Sequence, residues 1–187
     1  MNILSRLEEI DKQLLLAINH THAPWADDVM LFITNRHTWW PLYIFIVAYL
    51  LIAHKKRGVK MVMFIAFSVI VSEILSSWII KPLVQRLRPC HVETIQSQLH
   101  WVMDNCGGRY GFFSSHASNS FTLAIFMVAL LTGRNKWWYL LLLWATLISY
   151  SRVYLGVHYP GDVLAGIIVG SVIAYTGYIL YQKTSIR

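Results

Sequence analysis

The chain has 187 residues, of which 56% are hydrophobic, and its mean hydropathy is +0.49. Soluble domains contain about 45–50% apolar residues, so this composition argues against a soluble protein and favours an integral membrane protein. The formal charge of +7 does not indicate a nucleic-acid-binding protein, because the cations lie between long apolar runs rather than along one face, and lipid phosphates are better-suited anions.

Residues 1–36 mix charged residues with an apolar helical pattern. The charges interrupt the apolar residues from the start, so we expect no cleavable signal peptide there. The apolar residues recur at helical spacing: Ile3, Leu4, Leu7, Ile10, Leu14 and Leu15. The pattern predicts an amphipathic N-terminal helix with two possible placements. It lies in the membrane interface, or it docks on the helical bundle through the same stripe.

Long apolar runs indicate several transmembrane helices. A bilayer core about 30 Å thick is crossed by about 20 helical residues. Five such runs are present, at residues 37–54, 61–80, 115–132, 137–155 and 162–182. No repeat or linker separates them. The sequence therefore predicts an all-α, polytopic membrane helical bundle of about five transmembrane helices plus the N-terminal interfacial helix, as one domain over residues 1–187.

The distribution of cations predicts an orientation for this bundle. With five spans, residues 54–60, residues 133–136 and the C-terminus share one side of the membrane. The Lys and Arg residues on this side are Lys55, Lys56, Arg57, Lys60, Arg134, Lys136, Lys183 and Arg187. Short loops rich in Lys and Arg stay cytoplasmic. The long loop 81–114 then faces outward, although its side carries a similar number of cations.

The long outer loop contains Cys90 and Cys106, the two cysteines of the chain. In an oxidising compartment they would close a loop of about 15 residues and stabilise it by about 3 kcal/mol. Two independent thiols are the alternative.

A carboxylate lies inside the second predicted span, at Glu73. Within a membrane such a group needs a partner or a proton. Ser77 lies four residues further on and Lys81 eight, so the three form a rough stripe on the helix. Structural hydrogen bonding and a connection to a functional site through Lys81 are both open.

Three segments at the ends of predicted spans concentrate cations, histidines and hydroxyl groups. They are KPLVQRLRP (81–89), FSSH (113–116) and SRVYLGVHYPGD (151–162), all on the outer side of the five-span topology. Their convergence would form an anion-binding pocket from Lys81, Arg88, Arg152, His116, His158 and Asp162. Each segment also has an ordinary interpretation, as cations that snorkel to headgroups or as residues that cap a helix.

Spacing within these segments supports the pocket. Lys81 and Arg88 are seven residues apart, which places them on one face if that stretch is helical. Arg152 follows a long apolar run, where an arginine is costly unless it meets an anion. Asp162 lies four residues after His158, so its carboxylate can hold one imidazole nitrogen and leave the other as a nucleophile. An aspartate that only caps the last helix is the alternative.

These segments resemble the motifs of the type-2 phosphatidic acid phosphatase superfamily. The family pattern is Lys, six residues and Arg-Pro; then Pro-Ser-Gly-His; then Ser-Arg, five residues, His, three residues and Asp. The residues that match the first and third motifs at this spacing are Lys81, Arg88, Pro89, Ser151, Arg152, His158 and Asp162.

The middle motif departs from the family pattern. Phe113 replaces the proline and Ser115 the glycine, with Ser114 and His116 in register. The Cβ of Ser115 restricts how closely a phosphate can approach the backbone, which a glycine would leave open. We nevertheless expect the phosphate site to persist, since its donors there are main-chain N–H groups at a helix start.

The resemblance implies a covalent mechanism. His158 would attack phosphorus and form a phosphohistidine, held and polarised by Asp162. His116 would protonate the departing lipid oxygen and then activate the water that hydrolyses the intermediate.

The resemblance also implies a phosphate-binding set. Lys81, Arg88 and Arg152 would neutralise the phosphate oxygens, while Ser114 and Ser115 would bind phosphate at the start of a helix. This scheme requires no metal and no other cofactor.

Histidines outside the motifs do not indicate a metal site. His20 with His22, and His91 with either cysteine, offer fewer than the four ligands of a structural zinc site. We expect no bound metal.

An integral membrane lipid phosphatase that hydrolyses a phosphomonoester or diphosphate of a lipid is the function that the resemblance implies. Undecaprenyl diphosphate is the first candidate substrate and a lipid A phosphate the second, followed by phosphatidylglycerol phosphate and phosphatidic acid. Phosphoryl transfer to another lipid, and lipid binding or transport without catalysis, are the alternatives. Small size and short loops indicate a bacterial protein, which we expect in the inner membrane, multi-pass, with the active site facing the periplasm or the outside.

Overall fold

The structure is a computed structural model that describes residues 3–133 and 135–185. Its helices are α1 Ile3–Asn19, α2 Pro24–Thr34, α3 Trp40–His54, α4 Lys56–Glu73, α5 Lys81–Val84, α6 Glu93–Gln96, α7 Ser115–Leu131, α8 Leu140–Tyr154 and α9 Pro160–Ser185. A π-helical segment, Ile74–Ile80, joins α4 to α5. Short 3-10 turns lie at Arg36–Trp39, Pro89–His91 and Lys136–Tyr139. No strand forms within the described ranges. Arg134, Arg187 and the side chain of Leu4 lie outside the described residues.

The predicted all-α membrane bundle is confirmed, with differences in the spans. Three helical stretches of the described chain are long and apolar enough to cross a membrane: Arg36–His54, Lys56–Val84 and Pro160–Ser185. The predicted span 115–132 is α7, which is apolar but has 17 residues. The predicted span 137–155 is the turn Lys136–Tyr139 followed by α8. Helix α7 begins at the predicted residue, Ser115, and ends one residue early at Leu131. Helix α8 begins three residues late, after the 3-10 turn, and ends at Tyr154, two residues after Arg152.

Large apolar side chains cover the outside of the bundle. Trp78, Met63, Phe67 and Ile168 each expose more than half of their surface. Exposed apolar area on this scale is costly in water, whereas lipid tails match it. The exposed band is therefore the surface that faces the bilayer.

Helix α7 lies at the centre and packs against α9 through small residues. A Cβ at Gly166 would lie 2.6 Å from the carbonyl oxygen of Ser114, so only glycine permits this approach. Next along the interface, Thr122 Oγ1 donates to Gly170 O at 3.1 Å. The two helices are thereby close enough for Ser114 N to donate to Asp162 O at 3.0 Å. This contact joins the second motif to the third.

Helix α1 has a docked face and an open apolar face. Leu15 and Asn19 are fully buried, and Asn19 Nδ2 donates to Tyr154 O at 2.7 Å. On the other face, Leu7 and Leu14 expose 57% and 50% of their surface. Of the predicted apolar stripe, Leu15 therefore docks on the bundle, whereas Ile3, Leu7, Ile10 and Leu14 remain exposed.

The long loop between α5 and α7 is closed by a disulfide. Cys90 is paired with Cys106, with a Cα–Cα distance of 6.2 Å. An isolated antiparallel bridge joins Leu87 to Tyr110, and Gly111 N donates to Arg86 O at 2.8 Å. These contacts fold both ends of the loop back over the third motif.

Candidate active site

The three sequence segments meet at one end of the bundle. The second motif contacts the first through Lys81 Nζ, which donates to Ser115 Oγ at 3.1 Å. It contacts the third through the Ser114–Asp162 backbone hydrogen bond. The candidate catalytic and phosphate-binding residues therefore come together as the sequence predicted, but their individual contacts differ from that prediction in several places.

His158 and Asp162 form a fully buried pair at the start of α9. His158 Nδ1 lies 3.4 Å from Asp162 Oδ2, and the same carboxylate oxygen accepts from Tyr159 N at 3.2 Å. Within the described chain, no group hydrogen-bonds to His158 Nε2. Since a buried polar nitrogen normally has a partner, this nitrogen is the one available to a ligand.

The electrostatic surroundings keep this imidazole neutral. Burial, followed by the positive charges of Arg88 and Arg152, lowers the pKa of His158 well below its usual value of 6.5. The neutral ring has a lone pair to donate. The pocket therefore holds His158 in its nucleophilic form.

Arg86 connects Asp162 to the N-terminal helix. Its Nη1 donates to Asp162 Oδ1 at 2.6 Å and its Nη2 to Asp11 Oδ2 at 2.7 Å. The guanidinium also lies 4.1 Å from the centre of the Tyr159 ring. Burial acts to lower the pKa of Arg86, but Asp162 and Asp11 outweigh it and raise that pKa. Arg86 therefore stays charged and holds the carboxylate that faces His158.

Sequence analysis missed both Arg86 and Asp11 as parts of the site. Asp11 Oδ1 also accepts from Gly161 N at 2.7 Å, at the start of α9. The one sequence feature that could have indicated Asp11 is its negative charge within the amphipathic pattern of α1. Nothing in local spacing links it to an arginine 75 residues away.

Lys81 is held by a chain of hydrogen bonds that begins at Glu73. Glu73 Oε1 accepts from Ser77 Oγ at 2.6 Å, and Lys81 Nζ lies 3.5 Å from that hydroxyl. The other carboxylate oxygen of Glu73 accepts from Asn119 Nδ2 at 2.6 Å. The stripe proposed from the sequence is therefore present as a chain of hydrogen bonds. It satisfies a carboxylate inside a span and connects that carboxylate to Lys81.

Arg88 is positioned by the loop rather than by a helix. The α-helix ends at Val84, and Gln85 adopts a left-handed conformation with φ 53°. The stretch from Lys81 to Arg88 is therefore not one helix, and the condition under which the two residues would share a helix face is not met. Instead, Arg88 Nη1 donates to Cys106 O at 3.2 Å and Nε to Tyr110 O at 3.3 Å. Burial lowers the pKa of Arg88.

Arg152 is buried at the end of α8. Its Nη1 donates to Thr34 Oγ1 on α2, and its Nε has no hydrogen-bond partner in the described part of the chain. A buried guanidinium with an unused donor is suited to bind an anion. The sequence did not predict Thr34, which holds this side chain.

The middle motif lies at the start of α7, and its residues make different contacts. Ser114 is fully buried, its hydroxyl accepts from Ala117 N, and its own N–H donates to Asp162 O. Contrary to expectation, the N–H of Ser114 is therefore not available to a phosphate in this arrangement, whereas its hydroxyl O–H is not used by the contacts of the described residues. Ser115 contacts Lys81, and His116 lies half-buried in the first turn of α7.

An apolar groove leads away from His116 between α3, α4, α7 and α8. Its volume is about 570 Å³. Ser115, His116 and Glu73 line its polar end, and the rest is lined mainly by aliphatic and aromatic side chains, among them Ile65 and Trp144. The groove therefore runs from the second motif along the apolar faces of these helices.

Comparison with known proteins identifies the family. A family model described as the PAP2 superfamily matches residues 58–186. The chain belongs to the PAP2 superfamily. The resemblance seen in the motifs is thus confirmed, and the chain is a membrane lipid phosphatase of this superfamily.

Two curated relatives and one crystal structure are similar over most of the chain. The chain is 38% identical over 185 residues to the lipid A 4'-phosphatase of Bacteroides thetaiotaomicron, covering 97% of this chain and 81% of that protein. It is 32% identical over 182 residues to the putative undecaprenyl-diphosphatase YbjG of Escherichia coli, covering 94% and 85%. The transmembrane PAP2-type phosphatidylglycerolphosphate phosphatase of Bacillus subtilis superposes with a TM-score of 0.69 at 25% identity, covering 95% of this chain and 87% of that one.

Proposed function

We propose that this PAP2 protein removes phosphate from a membrane lipid through a phosphohistidine on His158. The observation that carries the proposal is the unpartnered Nε2 of a buried, neutral imidazole whose Nδ1 faces Asp162. Nε2 forms a bond to phosphorus while the bond from phosphorus to the lipid oxygen breaks. His116 donates the proton that the departing oxygen needs.

The second half of the reaction restores the imidazole. Water attacks the phosphohistidine, His116 takes a proton from that water, and the bond between nitrogen and phosphorus breaks to release inorganic phosphate. Asp162 stabilises the positive charge that His158 carries while phosphorylated.

Three cations supply the electrostatic stabilisation. The charges of Lys81, Arg88 and Arg152 all act on His158. Charge neutralisation at the phosphate oxygens is the main protein contribution to phosphoryl transfer. Ser115 holds the ammonium of Lys81 at the start of α7. With this set in place, every step of the scheme is performed by side chains of the chain itself, without metal.

The apolar groove supports a lipid substrate. Along α4 it extends from Val62 to Glu73, about 16 Å at 1.5 Å per residue, roughly half the hydrocarbon thickness of a bilayer. A lipid whose phosphate lies beside His116, at the polar end of the groove, can thus place a tail along it. A soluble phosphate ester would leave this groove unfilled.

Lipid A 4'-phosphate is the substrate that the relatives favour, with undecaprenyl diphosphate second. Similarity to the lipid A 4'-phosphatase covers nearly the whole chain at a higher identity than similarity to the undecaprenyl-diphosphatase. This order reverses the one expected from the sequence alone. We place the protein in a bacterial inner membrane with the site facing the periplasm, which the Cys90–Cys106 disulfide favours.

Phosphate release by the detergent-solubilised protein tests this function. Lipid A, undecaprenyl diphosphate, phosphatidylglycerol phosphate and phosphatidic acid are compared with a chelator present, and mass spectrometry locates the phosphate lost from lipid A. We expect release from lipid A at the 4' position and a loss of at least about 10³-fold in His158→Ala. His91→Ala, the replacement of an exposed histidine in the long loop between α5 and α7, is the matched control.

A second measurement separates hydrolysis from transfer. With ³²P-labelled lipid, a label on the protein that is stable in base, labile in acid and absent from His158→Ala supports the phosphohistidine. Label that appears in a second lipid rather than in free phosphate would assign the protein to phosphoryl transfer. Release that stops when chelator is added, without faster hydrogen exchange in the loop 81–114, would contradict the metal-free scheme.

A further inference from the structure

A second polar cluster lies outside the residues assigned to catalysis. It consists of His22 in the α1–α2 connection, Asp27 in the first turn of α2 and His100 in the long loop. One ligand atom from each residue lies within 4.8 Å of the other two. His100 Nε2 is 2.9 Å from Asp27 Oδ2, and the two imidazole rings are stacked with centroids 3.5 Å apart.

We propose that His22, Asp27 and His100 form a site for a Zn²⁺ ion that fastens the long loop to the helical bundle. Two imidazoles and a carboxylate are a common three-residue ligand set for zinc, with water as the fourth ligand. Nitrogen ligands argue against Mg²⁺ or Ca²⁺, which prefer oxygen. The site differs from the sequence candidates because only His22 belonged to them.

The surroundings of the cluster are already organised as those of a metal site. Tyr154 Oη donates to Asp27 Oδ1 at 2.6 Å, which orients the carboxylate and leaves Oδ2 for an ion. Asn19 holds the backbone of His100 on both sides: its Oδ1 accepts from His100 N at 2.7 Å, and its Nδ2 donates to His100 O at 3.1 Å. Because Asn19 is fully buried, it fixes the position of the His100 backbone relative to the helical bundle.

A modest movement converts the cluster into a coordinating geometry. Four-coordinate zinc separates its ligand atoms by about 3.4 Å, given bonds of about 2.1 Å. The stacked rings differ in plane by 4°, so their lone pairs do not yet converge on one point. His22 is exposed and has room to turn its ring toward the carboxylate. The three ligand atoms can therefore reach one ion through rotation of the His22 side chain, without movement of any helix.

The position of the site suggests what the ion does. Its ligands come from the α1–α2 connection, from α2 and from the loop that supplies Cys106 O and Tyr110 O to Arg88. Helix α2 also carries Thr34, which accepts from Arg152. An ion here therefore holds together the elements that place two phosphate-binding arginines. Zinc is a brace in this role and takes no part in the reaction.

Zinc binding to the full chain, purified without a histidine tag and stripped of metal, tests the proposal. Competition with a chromogenic chelator should show one equivalent of Zn²⁺ per chain, and Co²⁺ in its place should give the visible absorption of a tetrahedral site. His22→Ala should lower the zinc affinity by at least about 100-fold, and Tyr154→Phe by about tenfold. His20→Ala is the matched control, since His20 is exposed, two residues away, and contacts the same loop at Gln98 O.

Hydrogen exchange gives a readout that does not depend on activity. Zn²⁺ should slow exchange in residues 97–105 of the wild-type chain and of His20→Ala, but not of His22→Ala. Because His22 is exposed, its replacement should leave the fold intact, which the thermal unfolding midpoint without metal verifies. Absence of stoichiometric zinc, or equal binding by His22→Ala and wild type, would overturn the proposal and leave a hydrogen-bonded cluster only.

Discussion

Arg86 donates to Asp162 from one end of its guanidinium and to Asp11 from the other, at 2.6 and 2.7 Å. Through this bridge a residue of the N-terminal helix acts on the carboxylate that faces the proposed nucleophile. Arg86 and Asp11 touch neither the phosphate pocket cations nor the groove in the described contacts. We therefore regard both as positioning residues.

Replacing Arg86 with glutamine should lower kcat by about 10- to 100-fold, the effect of losing a charge-assisted hydrogen bond of about 1.5–3 kcal/mol. Asp11→Asn should have a smaller effect in the same direction, because Arg86 keeps its contact with Asp162. Steady-state phosphate release measures both. Glu8→Gln, an exposed carboxylate on the same helix, should be neutral. Equal activity of Arg86→Gln and wild type would show that Asp162 needs no support from α1.

Gly111 should tolerate no side chain, because the loop backbone lies directly against the His158–Asp162 pair. A Cβ there would lie 2.9 Å from Asp162 Oδ2 and 3.5 Å from His158 Nδ1. We expect Gly111→Ala to lower kcat by at least about tenfold, since a displaced carboxylate no longer holds the imidazole. Gly108→Ala is the control in the same loop, where an added Cβ meets nothing within 4 Å. Similar losses in both variants would indicate a general effect on the loop.

Glu73→Gln should raise KM more than it lowers kcat. The amide keeps the shape of the side chain and can still accept from Ser77, but it removes the negative charge at the end of the chain that reaches Lys81. A less well-held ammonium should bind phosphate about tenfold more weakly, a cost of about 1.4 kcal/mol. Kinetics with one lipid substrate measure the division between KM and kcat. Glu93→Gln, an exposed carboxylate of the loop, should leave both constants unchanged.

Opening the disulfide should destabilise the protein and weaken phosphate binding together. The double replacement of Cys90 and Cys106 by serine should lower the free energy of unfolding by about 3 kcal/mol. KM should also rise, because Cys106 O accepts from the guanidinium of Arg88. Thermal unfolding and kinetics check the two effects. A reductant should reproduce them in the wild type and do nothing further to the double variant.

The buried state of His158 predicts a pH dependence of stability. Its pKa in the folded protein lies well below 6.5, so below pH 6.5 the unfolded chain binds a proton that the folded chain does not. The free energy of unfolding should therefore decrease as the pH is lowered below 6.5. The decrease should be up to about 1.4 kcal/mol per pH unit, until the pH reaches the pKa of His158 in the folded protein. His158→Gln should lose less stability between pH 7.5 and 5. Parallel unfolding midpoints for the two proteins over this range would contradict the prediction.

Local patterns were sufficient for the helices and for the His158–Asp162 pair. Apolar run length placed the spans to within a few residues, and a spacing of four residues at a helix start brought the carboxylate to the imidazole. The position of Arg88 was not predictable in this way. It depends on a left-handed residue at Gln85 and on carbonyl groups of a distant loop segment, for which no periodicity gives a signal.

Long-range polar contacts were the other part that sequence could not supply. Asp11 with Arg86, and Thr34 with Arg152, join residues separated by 75 and 118 positions. Each is an ordinary charged or hydroxyl residue in its own segment. Only the packing of α1 and α2 against the ends of α8 and α9 gives them a role.

The complete burial of His158 also sets the order of events at the pocket. Under the proposed mechanism the dephosphorylated lipid occupies the approach to the new phosphohistidine, so water arrives only after that lipid has diffused away laterally. A second lipid that enters first would intercept the phosphoryl group. The ratio of phosphate release to phosphoryl transfer is then set by two rates. One is the rate at which a second lipid enters the pocket, and the other is the rate at which water reaches the phosphohistidine.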